Sequence, residues 1–151
     1  MSKSEKQDRI IELFILDVYV AILKIKRVTS EFDEPQALLH DFRSWDSIIR
    51  EFEIIGEASK HLIREKLVPQ NYQMIVDFRN KITHEYFGID QDIVWAITHH
   101  DLESIENVII NLIENIDIPL RKELIESFIE DNIYLDFIVE KLKQFNIGKI
   151  T

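Results

Sequence analysis

The chain is written in the helical period. Ile11, Ile15, Val18, Ile22 and Ile25 recur at spacings of four and three, which sets them along one face of an amphipathic helix. This helix is expected from about Ser4 to Ser30, ahead of the turn signal Asp33-Glu34-Pro35. Trp45, Ile48, Phe52, Ile55 and Leu62 mark a second helix. Asp41 or Ser44 would cap its start, and Pro69 would stop it because proline cannot continue the hydrogen-bond ladder. Met74, Ile75, Phe78 and Ile82 mark a third, expected to begin near Asn71 and fray between Tyr86 and Gly88. Gly88 suits a left-handed position at that end.

Asp90 then reads as an N-cap, with Ile89 and Val94 placed as a hydrophobic staple across it. A fourth helix runs on through Leu102, Ile105, Ile109, Leu112 and Ile116, with a break expected near Thr98 to Asp101, where the apolar phase slips. Short connections between four such helices predict an all-α, antiparallel, up-and-down four-helix bundle over residues 1–117. Pro119 fits the first turn of a further helix. Leu135, Ile138, Leu142 and Phe145 continue the pattern, so residues 118–151 form an appended helical extension, as one kinked helix or two short ones. Tyr134, Phe137 and Phe145 read first as core packing and second as a self-association face.

Composition supports this picture and narrows the chemistry. Only three glycines and three prolines punctuate 151 residues, too few for a sandwich or barrel with many tight turns. The absence of cysteine rules out a disulfide scaffold, a thiolate nucleophile and a cysteine zinc site. Charges interrupt every apolar run, so neither a signal peptide at Met1 to Arg9 nor a membrane span is expected, and the reading is a cytoplasmic protein with no membrane partner. The net charge of −10 is uneven, and residues 91–120 hold six acids and no Lys or Arg. A general nucleic-acid binder needs a basic surface. Any contact with RNA must therefore be local, or be helped by a basic partner.

The polar side chains that matter gather in Phe78-Arg79-Asn80-Lys81-Ile82-Thr83-His84-Glu85-Tyr86. At ~100° per residue, Arg79 and His84 lie about 140° apart on an ideal helix, whereas Asn80 and His84 share a face. Convergence of Arg79 and His84 on one atom would take a distorted helix end or a second copy of the chain. Glu57, among apolar neighbours, is placed to pair with Arg79 or to support His84, with a structural buried ion pair as the alternative. Gly56 reads as a close helix–helix contact. His99, His100 and Asp101 look like metal ligands, but adjacent helical residues diverge by ~100° and chelate one ion poorly. His84-Glu85 begins like a zinc-protease motif and fails it at Gly88. His40 and His61 read as surface residues, and Glu103, Glu106 and Glu114 as a solvated face or a dock for a basic partner.

Together with Ile54-Ile55-Gly56-Glu57-Ala58, the Asp46 to Arg50 segment, Gly88-Ile89-Asp90 and Trp95, the motif Arg79-x4-His84-x-Tyr86 resembles the HepT-like branch of the HEPN superfamily over about residues 8–116. Tyr72 stands where such proteins commonly carry Trp and reads as packing. The resemblance implies a four-helix HEPN fold and a homodimer with the motifs facing each other. It also implies a toxin role beside a minimal nucleotidyltransferase antitoxin. As a metal-independent endoribonuclease leaving 2′,3′-cyclic phosphate ends, with no cofactor, such a protein would use His84 as general acid or base. Arg79 would stabilise charge on the scissile phosphate of the RNA substrate, and Asn80 would orient the phosphate or the histidine. Tyr86 would accept the adenylyl group that silences the toxin. The alternative is a non-catalytic binding or acceptor subunit of the nucleotidyltransferase.

Overall fold

The computed structural model describes residues 10–84 and 88–147, and among these every regular element is a helix. In chain order they are α1 (Ile11–Thr29), α2 (Pro35–His40), α3 (Phe42–Arg64), a 3-10 turn (Gln70–Tyr72) and α4 (Gln73–His84). After them come α5 (Gln91–Ala96), a π-helical turn (Ile97–Asp101), α6 (Leu102–Glu114), α7 (Ile118–Asp131) and α8 (Asp136–Ile147). α1 packs on α3 and α6, and α3 packs on α4, giving an all-α bundle. No described helix is long and apolar enough to cross a membrane.

α1 is the pillar of this arrangement. Its expected stripe is buried, with Ile15, Val18, Ile22 and Ile25 no more than 3% exposed. The burial goes further than one face, because every residue from Val18 to Leu23 is buried. A helix apolar around its circumference must be covered on several sides. Here α3, α6 and α8 do the covering. Tyr19 meets Phe145 edge-on at 5.3 Å between centroids, and the Arg27 guanidinium lies 5.0 Å above Phe137. The segment after Glu114 therefore belongs to the same core, which includes Ile125, Ile138 and Leu142. It forms two helices, with Pro119 in the first turn of α7. The buried Arg121 donates to the Glu114 carbonyl at 3.0 Å and ties α7 to the end of α6. Tyr134, expected in the packing, is instead 73% exposed in the turn between α7 and α8.

Helix ends show where local chemistry decided. Asp41 caps α3, its Oδ1 accepting from the Ser44 amide at 3.3 Å. Asp90 caps α5 the same way through Asp92 at 2.8 Å. The break expected near Thr98 to Asp101 is the π-helical turn. One feature unforeseen in the sequence is α2, which uses Pro35 in its first turn to bury Leu38. Pro69 does not terminate α3. Instead the helix closes at Arg64 through a Schellman arrangement, with Leu67 N–H donating to Leu62 and Lys66 N–H to Ile63. Lys66 takes the left-handed conformation, φ 58°, normally left to glycine. Gly88, by contrast, has no positive φ, and a Cβ there would meet nothing within 4 Å. Met74 is also less buried than its place in the apolar stripe implied, at 38% exposed.

Two stability predictions follow from these contacts. Lys66→Gly removes the clash of a Cβ in left-handed backbone and should stabilise the fold by about 1 kcal/mol in urea denaturation. Glu51 is buried beside Lys24 and near Asp131, and burial raises its carboxyl above the usual 4.5, with Lys24 and Arg50 opposing the rise. The folded state thus holds the proton more tightly than the unfolded one, and stability falls as pH rises through and above that range. Glu51→Gln should raise the urea midpoint at neutral pH, with the gain fading as the medium is acidified below the ordinary carboxylate range.

Candidate functional site

The site begins with the missing side chain at position 56. A Cβ built there would stand 2.2 Å from Arg79 Cβ and 3.2 Å from the Ile75 carbonyl oxygen. Glycine therefore allows α4 to lie directly against α3, as the sequence reading expected of Gly56. One residue further along α3, Glu57 Oε2 lies 3.2 Å from Arg79 Nη2 and 3.6 Å from Lys60 Nζ. The pair is at the surface, since the Glu57 side chain is 47% exposed and that of Arg79 28%. Apolar neighbours in sequence did not bury Glu57. Of the two roles open to it, the structure shows the pairing with Arg79.

Arg79 has donors to spare. Its Nη1 donates to Asn80 Oδ1 at 3.3 Å, while its buried Nε has no acceptor among the described residues. Asn80 and His84 are both exposed, and His84 is the last residue of α4. The helix is regular through this point, with Thr83 Oγ1 donating back to the Arg79 carbonyl at 3.1 Å. Described α4 thus lacks the distortion that would turn Arg79 and His84 toward one atom. Within one chain Arg79 faces α3, and His84 leaves the helix about 140° away. Tyr86, the expected modification acceptor, lies outside the described residues.

Arg79 borders a groove of about 500 Å³ between α1 and α3. Phe14, Ile54 and Ala58 give it an apolar floor, and Arg50, Glu53 and Glu57 stand along one wall. The sequence reading gave Arg50 no role of its own. Its signal was the seven-residue spacing to Glu57, two turns along one helix face. Tyr72 is another missed contact: it is buried, and its hydroxyl donates to the Ile105 carbonyl at 2.9 Å, joining the start of α4 to α6. Burial pushes its phenol well above the usual range.

Two of the remaining histidines are engaged elsewhere. His99 stacks on Trp95 with centroids 4.1 Å apart, and its Nδ1 lies 2.9 Å from the Trp95 carbonyl. His61, expected at the surface, is half-buried and stacks on Phe14. Among the described residues no group of three His, Cys, Asp or Glu could hold a metal ion.

Residues 18–112, well over half the chain, match the family described as Ribonuclease HepT-like. The chain belongs to the HepT-like family of the HEPN superfamily. Relatives of this HepT-like chain carry matching names. A Methanocaldococcus jannaschii protein named "Putative RNase" is 30% identical over 101 residues, covering 65% of this chain and 92% of its own. A second so named from that organism is 32% identical over 108 residues, covering 66% and 87%. The "Probable ribonuclease HepT" of Thermococcus cleftensis is 32% identical over 98 residues, covering 62% and 86%. No solved structure matches. The family match ends within α6, so α7 and α8 lie beyond it.

The contact at Gly56 makes a sharp prediction for this HepT-like fold. Gly56→Ala should force α3 and α4 apart and lower stability by about 1–3 kcal/mol in urea denaturation, as overpacking of a tight helix contact does. Ser59→Ala, one turn on and buried without a partner for its hydroxyl among the described residues, serves as the control and should not destabilise.

Proposed function

We propose that this chain is a metal-independent endoribonuclease acting as a homodimer, with a composite site of Arg79, Asn80 and His84. The observation that carries the reading is the division of labour on α4. Arg79 is held toward α3 with an Nε donor that has no acceptor among the described residues, whereas His84 is presented to solvent at the helix end. Two copies with their motifs facing supply both groups to one RNA strand.

In the reaction, His84 of one copy takes the proton of the ribose 2′-hydroxyl. The freed oxygen attacks the adjacent phosphorus, and the bond to the 5′-oxygen breaks. The departing oxygen takes a proton from the partner's His84, leaving a 2′,3′-cyclic phosphate and a 5′-hydroxyl. Histidine suits both steps because it titrates near neutrality. The Arg79 guanidinium stabilises charge on the phosphate oxygens, and its Glu57 partner keeps it oriented between turnovers. Asn80, bonded to Arg79, orients the phosphate from the same helix.

Within this reading the chain is the toxin of a pair. Its antitoxin is a minimal nucleotidyltransferase that silences it by transferring an adenylyl group from a nucleoside triphosphate to the Tyr86 hydroxyl, with loss of pyrophosphate. A second reading makes the chain a non-catalytic acceptor subunit of that enzyme. The net charge of −10 favours it, because an acidic body gives RNA no long-range attraction.

The deciding assay is cleavage of a mixed RNA pool by purified protein in the presence of a chelator. We expect cyclic phosphate ends from the native chain and at least a ~100-fold slower reaction from His84→Ala. Equal inactivity of both proteins would leave the acceptor reading in place.

A further inference from the structure

Glu51 is buried without a partner. It is 7% exposed, yet its carboxylate has neither a hydrogen bond nor an ion pair among the described residues. Leaving such a group unmet costs stability. Lys24 and Arg50 favour its charge without bonding it. Glu51 lines a cavity of about 220 Å³ where α1, α3 and α7 meet.

The cavity offers anions at two depths. Asp131, at the end of α7, is exposed and also has no partner among the described residues. Ala21 and Phe128, both buried, give the cavity an apolar wall. Asn132 adds an acceptor, because its Nδ2 donates to the Phe128 carbonyl at 2.8 Å and so leaves Oδ1 to a donor. It follows the last turn of α7, where the helix dipole favours a positive charge. Lys24 borders the cavity but pairs with neither carboxylate among the described residues. Asp17 borders it too, with an interaction of its own.

A deep anion, an outer anion and an apolar wall suit a cation charged at both ends with methylenes between. A four-carbon diamine needs roughly 180 Å³ at about 30 Å³ for each heavy atom, which this cavity holds. A metal ion suits it less, since no three carboxylates or histidines converge among the described residues.

We propose that the cavity between α1, α3 and α7 binds an aliphatic diamine, one ammonium meeting Glu51 at depth and the other Asp131 at the mouth. The ligand then offsets the cost that Glu51 imposes on the free protein. Because α7 lies beyond the family match, the site belongs to the extension of this chain as much as to its bundle.

Calorimetric titration of the full chain with putrescine tests this, and we expect saturable binding at a single site. Glu51→Gln should weaken it at least ~10-fold. Asp131→Asn, at the exposed mouth, should weaken it by only ~3-fold. Butylamine, of the same length with one charge, should bind more weakly than the diamine. Glu103→Gln removes an exposed acid on α6 and should bind as the native chain does, which controls for a general attraction of amines to an acidic protein. Binding should strengthen, with release of a proton, as pH rises through the titration of Glu51, because an ammonium favours the charged carboxylate. The charged groups around Glu51 are Lys24 and Asp17 of α1, Arg50 of α3 and Asp131 of α7. Putrescine should also raise the melting temperature of the native chain and leave that of E51Q unchanged. A native chain that binds no putrescine, an E51Q variant that binds it as well as the native chain, or an equal loss in E103Q would overturn the proposal.

Discussion

The proposed site depends on how closely α4 can approach α3 at Gly56. With a hydrogen in place of a side chain, the two backbones come near enough for Arg79 to lie over Gly56 and reach Glu57. That contact fixes the rotation of α4 about its own axis. Once Arg79 is turned toward α3, the helical period leaves no choice for the rest. Ile75, Phe78 and Ile82 point into the core, and Asn80 and His84 point out. A larger residue at position 56 would move the arginine and the histidine together.

The second constraint comes from α1. A helix buried along six consecutive residues cannot be satisfied by the two neighbours that an isolated amphipathic stripe implies. α8 supplies the missing cover, through Phe145 against Tyr19 and Phe137 beneath Arg27. The extension is thus structural in its main part. It covers one flank of α1, while the groove that Arg79 borders lies on the flank beside α3.

Much of this was legible in the sequence, and the failures have physical causes. Periodicity located the long helices, and short-range hydrogen bonding located the caps at Asp41 and Asp90. The phase slip at Thr98 to Asp101 became a π-helical turn, because an extra residue per turn restores the apolar register. Pro69 and Gly88 misled, since the end of α3 was decided by backbone hydrogen bonds and a strained Lys66 that no residue preference announces. At the site, the link between Gly56, Glu57 and Arg79 followed from residue size and charge. The exposure of Glu57 did not, because apolar neighbours in sequence point to other faces of a helix. Arg50 was hidden for the opposite reason: its meaning lies in which residues of α1 and α4 share its groove.

An acidic protein that cleaves RNA is less contradictory than its net charge suggests. Electrostatic attraction between exposed charges fades within about 8 Å at physiological ionic strength, so what a phosphate meets is the local arrangement rather than the total. The negative stretch of residues 91–120 falls on α5 and α6, elements distinct from α4, which carries Arg79, Lys81 and His84. In the proposed composite site the cations of two α4 helices would meet one RNA strand. RNA would then find favourable charge at that site. In that reading acidity elsewhere would work as selectivity, because it discourages binding in orientations that do not bring a strand to the proposed site.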